Sequence, residues 1–170
     1  MKTSVHEESI FREEQKFRQV WMWLLVAGLV ILSWYGFLRQ IAFGKPFGPN
    51  PAPDWGLWLV WAIFGVGLPL FILSIKLVVE VKPSGLRVRY FPISSRFFPF
   101  SEIREYRSVR FRPLWDFGGW GIRYSSEKGW AYLVNGNQGV ELVLRSGKRI
   151  TVGSANPAAL VGAMDIVLRK

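Results

Sequence analysis

The sequence predicts a membrane α + β protein: a two-helix transmembrane hairpin followed by a split β-barrel of about seven strands, closed by a C-terminal helix. Three observations carry this. Two apolar blocks, 20–38 and 55–79, interrupt an otherwise polar and basic chain of 170 residues. From Leu77 the hydrophobic period changes from helical to two, the mark of strands. The last fifteen residues return to a 3.6-residue apolar stripe.

Residues 1–19 carry four glutamates and the lone His6. Glu8 with Arg12 and Glu14 with Arg18 stand at i,i+4 in the favourable order. Ile10, Phe11 and Phe17 share one helical face that continues to Trp21. An interfacial helix leading into the first span is expected here, with a frayed tail as the competing reading.

Residues 20–38, VWMWLLVAGLVILSWYGFL, contain no ionisable side chain. At the helical rise they cover roughly 28 Å, close to the hydrocarbon thickness of a bilayer. Trp21 and Trp23 at one end and Trp34 and Tyr35 at the other suit interfacial belts. The block is too long, and starts too far into the chain, for a cleaved signal sequence. The second block, 55–79, has no charge before Lys76, whose long stem reaches an interface. Pro69 near Gly65 and Gly67 predicts a kink or a close helix contact. The span centres hold no acid, base or histidine, so an anchor is favoured over an ion or proton path.

The connecting loop, 39–54, is rich in Pro and Gly and carries only Arg39 and Lys45 as cations. Arg12, Lys16 and Arg18 precede the first span; Lys76, Lys82, Arg87 and Arg89 follow or end the second. The positive-inside rule places both termini in the cytoplasm and the loop outside an inner membrane.

The domain expected over 80–170 begins with a hairpin, LVVEV (77–81) and LRVRY (86–90), joined by Pro83-Ser84-Gly85. Further strands are expected at 96–100, 104–112, 120–125, 130–135, 140–145 and 149–153, with turn signals between the later ones. Asn156 is placed to cap a final helix, with Pro157 at its first position. Leu160, Val161, Met164, Val167 and Leu168 form its apolar stripe.

This order of short strands and one closing helix resembles the pleckstrin-homology (PH) superfold. More closely, the chain is similar to an uncharacterised group of prokaryotic membrane proteins with two spans and a C-terminal PH-like domain. FREEQKFRQVWMW, PLWDFGGWGIRYS (113–125) and GNQGVELVLRSGKRITVGSANP (136–157) carry that resemblance. It implies a fold and a topology, and no established activity.

The absence of cysteine excludes disulfide, zinc-ribbon and thiol chemistry. Asp116, Glu102, Glu105, Glu127, Glu141 and Asp165 are scattered without a partner His or ligand spacing, so no catalytic group, metal or cofactor is expected. Gly118-Gly119-Trp120-Gly121 matches neither a dinucleotide nor a P-loop fingerprint and reads as a tight bend.

From residue 77 onward fifteen Lys or Arg face seven Asp or Glu, so eight of the ten net positive charges lie there. Lys82, Arg87 and Arg89 stand as K-x4-R-x-R on the first hairpin. That spacing is similar to the basic motif with which some PH domains hold phosphoinositide headgroups. In a prokaryotic setting it implies contact with anionic lipid at large, or with a partner. Arg107, Arg110, Arg112 and Arg123 with Phe111, Trp115 and Trp120 form a second basic and aromatic cluster. Internal packing ranks first for it, a protein partner second and nucleic acid last. Arg110, Arg112, Trp115, Trp120 and Arg123 are its candidate partner surface.

The functional expectation is a non-enzymatic scaffold that docks a protein, a second copy or lipid headgroups at the inner membrane face, without nucleic acid. The alternative is an accessory subunit of a larger membrane enzyme or transporter.

Overall fold

The computed structural model describes residues 8–169, and the chain divides into two units. One is the helical segment Arg18–Ser74. The other joins the chain through Phe17 to everything from Ile75 onward.

In the helical unit, α1 (Val20–Ala42) and α2 (Asp54–Ser74) are 23 and 21 residues long, each apolar and long enough to cross a membrane. The helix of α2 widens into i→i+5 turns over Trp61–Gly67, directly before Pro69. Proline has no N–H for the carbonyl four residues back, that of Gly65. That carbonyl instead accepts the indole N–H of Trp34 at 3.2 Å. A Cβ at Gly65 would meet Ser33 Oγ and Trp61 at 3.1 Å, so glycine permits the close approach. The expected kink signal thus resolves into a widened turn and a helix contact.

The second unit holds nine strands among the described residues: β1 (Phe11–Lys16), β2 (Lys76–Lys82), β3 (Gly85–Phe91), β4 (Ser94–Pro99), β5 (Ile103–Arg110), β6 (Gly121–Ser125), β7 (Gly129–Leu133), β8 (Gln138–Leu144) and β9 (Arg149–Gly153). They form two sheets, ordered β1-β2-β3-β4 and β5-β8-β9-β7-β6. The expected barrel does not close. β9 inserts between β8 and β7 and runs parallel to β7, which an up-and-down barrel does not allow. A short helix, α3 (Pro113–Phe117), follows β5 where strand had been expected to run to Arg112. Pro113 removes a ladder donor and suits the first helical position. The Gly-rich bend is present: Gly118, at φ 72°, ends α3 in the left-handed region, donating its N–H to Leu114.

The largest correction concerns the N-terminus. Phe11–Lys16 is a strand, not an interfacial helix, and pairs antiparallel with β2 from Phe11↔Val81 to Lys16↔Lys76. The i,i+4 ion pairs give way to cross-strand pairs, Arg12–Glu80 at 3.7 Å and Lys76–Glu14 at 3.4 Å. Tertiary pairing decides because β2 offers a free edge, although Phe11 is the one apolar residue of FREEQK. The Glu13 carboxylate accepts from Ser154 Oγ and from the Ala155 N–H, each at 2.6 Å. The buried Gln15 amide donates to the Gly153 carbonyl at 2.9 Å. The β unit therefore begins in the N-terminal segment and resumes at Ile75, ahead of the expected boundary at residue 80. Leu77 and Val79, expected at the end of the second span, are core residues with no exposed surface.

The two sheets face each other across one core. Leu77, Val79, Val81, Leu86 and Val88 come from the first sheet, and Val140, Leu142, Ile150 and Val152 from the second. Helix α4 (Pro157–Leu168) adds Leu160 and Met164, fully buried, while Leu168 at the end of the expected stripe is exposed. Asn156 caps α4 as expected, accepting the Ala159 N–H at 3.1 Å. The Tyr106 hydroxyl on β5 donates to Asp165 of α4 at 2.5 Å. Burial first, and this carboxylate second, push its pKa up to about 12.

Candidate functional site

Because side chains alternate along a strand, the inner face of the four-stranded sheet takes Leu77, Val79 and Val81 and the outer face takes Lys76, Val78, Glu80 and Lys82. Cross-strand register extends the outer face: Arg87 lies opposite Glu80 and Arg89 opposite Val78 on β3, while Arg12 lies opposite Glu80 on β1. Lys82, Arg87 and Arg89, predicted from the sequence, thus share one surface. They line an open groove of about 600 Å³ with Arg12, Glu80, Glu8 and Ser9.

Arg12 and Glu80 were not anticipated in this site. A helical N-terminus would have kept Arg12 away, and Glu80 was counted only in the net charge. With Phe11 as its one apolar residue, FREEQK carries no alternation that would have signalled the strand. Glu80 is nearly buried, and its ion pair with Arg12 at 3.7 Å leaves Lys82, Arg87 and Arg89 with no ion pair among the described residues. The groove therefore has three cations without an ion pair among the described residues beside two carboxylates, Glu80, paired with Arg12, and Glu8. That arrangement suits an anionic ligand. Among the described residues, no three His, Asp or Glu side chains converge as metal ligands.

The second predicted cluster separates. Arg110, Arg112 and Trp115 border a shallow depression of about 450 Å³ with Asp116 and Lys128. Trp115 is 85% exposed. Trp120 instead packs on Phe111, Phe117, Ala131 and Leu133, and its indole N–H donates to the Gly136 carbonyl at 3.3 Å. Arg123 Nε donates to the Trp120 carbonyl at 3.0 Å, and Arg107 is tied to Glu141 at 2.6 Å. Internal packing, the reading ranked first, describes Phe111 and Trp120. Asp116 accepts from the Arg112 N–H at 2.8 Å and pairs with Lys128 at 2.9 Å. The backbone hydrogen bond first, and Lys128 next, hold its carboxyl below the usual range.

The chain is thus a two-sheet β unit, bearing a basic groove on one outer face, whose sequence is interrupted by a two-helix apolar segment. It belongs to the family of unknown function DUF6141, whose sequence profile matches residues 4–168. Comparison with curated proteins and with solved structures returned no match.

Proposed function

We propose that this chain is a membrane-anchored, non-enzymatic docking module that binds an acidic protein partner through Arg12, Lys82, Arg87 and Arg89. The carrying observation is the register that gathers four cations from three strands onto one sheet face. Lys82, Arg87 and Arg89 lack ion-pair partners among the described residues, so an incoming carboxylate displaces little more than water.

The membrane reading is supported by helices of mean hydropathy 1.8 and 2.2 with only 17% and 11% of those windows buried. A core helix of a water-soluble domain would be covered far more. Basic flanks support termini on the cytoplasmic side of an inner membrane. Two facing sheets ending in a helix support kinship of the β unit with PH-like domains, although β1 adds a strand beyond the segments expected and no barrel closes.

Register favours a protein over headgroups as the occupant. Lys82 lies six residues along β2 from Lys76, the strand residue nearest in sequence to the end of α2. At the strand rise this is about 20 Å. Lys82 therefore lies at the strand end remote from the chain's connections to the apolar helices, while Arg87 and Arg89, opposite Glu80 and Val78, lie between the two ends. A larger membrane enzyme or transporter with an acidic cytoplasmic face would fit the same groove.

The test is photo-crosslinking in intact cells, from a photoreactive residue replacing Ser9, which borders the groove, and from one replacing Trp115. A discrete protein adduct from position 9, absent with Arg87→Glu/Arg89→Glu and weak from position 115, is expected. No adduct at position 9, or one indifferent to charge reversal, would refute the assignment.

A further inference from the structure

The opposite end of the same sheet is built differently. Lys16, Lys76 and Phe91 form one row across β1, β2 and β3. Three residues separate Lys16 from α1 and one separates α2 from Lys76, so this row marks where the chain leaves for the apolar helices and returns. Beyond it the β3–β4 turn projects Phe91, Pro92 and Ile93, closed by the Ile93 N–H donating to the Tyr90 carbonyl at 2.8 Å. Phe91 is 45% and Ile93 57% exposed. Turns at a protein surface ordinarily carry polar residues. Two large apolar side chains at a tight turn, beside two lysines, have the composition of a membrane interface.

We infer that the Phe91-Pro92-Ile93 turn inserts into the lipid interface as a second membrane contact, independent of the two helices. The inference rests on the membrane reading above and assigns an occupant to a surface that the docking groove does not use. The occupant is lipid rather than protein because chain connectivity ties the Lys16–Lys76–Phe91 row to the helix ends. A turn there meets the headgroup and upper acyl region before any soluble partner.

The absence of native cysteine allows single-site labelling of the full chain. An environment-sensitive fluorophore would be attached at Ile31→Cys, Ile93→Cys or Lys82→Cys, and each protein reconstituted in neutral phosphatidylcholine vesicles. Ile31 is central in α1 and exposed, and Ile93 is exposed at the turn, so neither change disturbs a packed core. Lipids spin-labelled deep in the acyl chain should quench position 31 several-fold. Lipids labelled near the headgroup should quench position 93 at least twofold with a blue-shifted emission, and leave position 82 unchanged. Quenching at 31 without quenching at 93 would overturn the inserted turn while leaving the membrane reading intact. Equal quenching at 93 and 82 would also overturn it, because the lipid contact would then not be specific to the turn. No quenching at 31 would refute the membrane reading itself, and the inserted turn with it.

Discussion

The groove on the outer sheet face and the depression around Trp115 started as the same kind of signal, a run of arginines mixed with other residues. They ended differently. Lys82, Arg87 and Arg89 stayed together because a hairpin converts sequence spacing directly into position on one face, with Arg87 opposite Glu80 and Arg89 opposite Val78. Arg110, Arg112, Trp115, Trp120 and Arg123 were divided because β5 ends at Arg110, α3 intervenes, and the Gly118–Gly121 bend turns the chain again. Each change of backbone direction sends the next side chain elsewhere. A cluster in sequence is a cluster in space only where the backbone period is constant across it.

The groove depends on an element distant in sequence, and the depression is local, so different substitutions separate them. The largest effect is expected for Glu13→Ala. Two donors at 2.6 Å, Ser154 Oγ and the Ala155 N–H, would lose a charged acceptor. The cost should be about 2–3 kcal/mol. Urea unfolding checks this, and hydrogen exchange should show faster exchange along β1 than around α3. If the Trp115 region exchanged equally fast, the two sites would not be separable.

A smaller effect is expected for Asp116→Ala, which frees the Arg112 N–H and Lys128 at the start of α3. About 1 kcal/mol should be lost, with protection falling near α3 and unchanged on β1. The Asp116 pKa is lowered in the fold from the ordinary 3.8. Its contribution is therefore complete above that value and disappears as pH falls through the folded value. The difference between wild type and Asp116→Ala should then shrink below about pH 4, as read by unfolding at stepped pH. A difference that grew on acidification would contradict the geometry.

The smallest effect is expected for Trp115→Ala. At 85% exposure the side chain leaves little to lose, and the unfolding midpoint should correspond to a change within about 0.5 kcal/mol. A larger loss would mean that Trp115 is covered in the protein in solution, and would raise the depression to the rank of the groove.

Much of this architecture was legible. The β2–β3 hairpin, β9 and the Asn156-Pro157 start of α4 follow from alternation, turn residues and capping, which act over a few residues. The β1 strand was not legible as such. The segment carries helical ion-pair spacing and no apolar alternation, and only the open edge of β2, far along the chain from Lys76 onward, makes it a strand. The same blind spot hid Arg12 from the site and moved the start of the β unit from residue 80 to Ile75. The end of the second apolar run illustrates the limit. Leu77, Val78 and Val79 resume the hydrophobicity of α2 directly after Lys76, so the change of period at Leu77, rather than hydropathy, marks where helix yields to strand.

By itself, the sequence determined two long apolar helices, a β-rich basic segment with a closing helix, and the shared face of Lys82, Arg87 and Arg89. These are consequences of periodicity and charge, which need no partner to be expressed. Only the tertiary structure decided that the N-terminal segment completes the first sheet, that β9 lies between β7 and β8, and that Trp120 is packed while Trp115 is exposed. Those outcomes depend on which edges and faces remain free once the rest of the chain has folded, and strand pairing between distant segments carries no local signature.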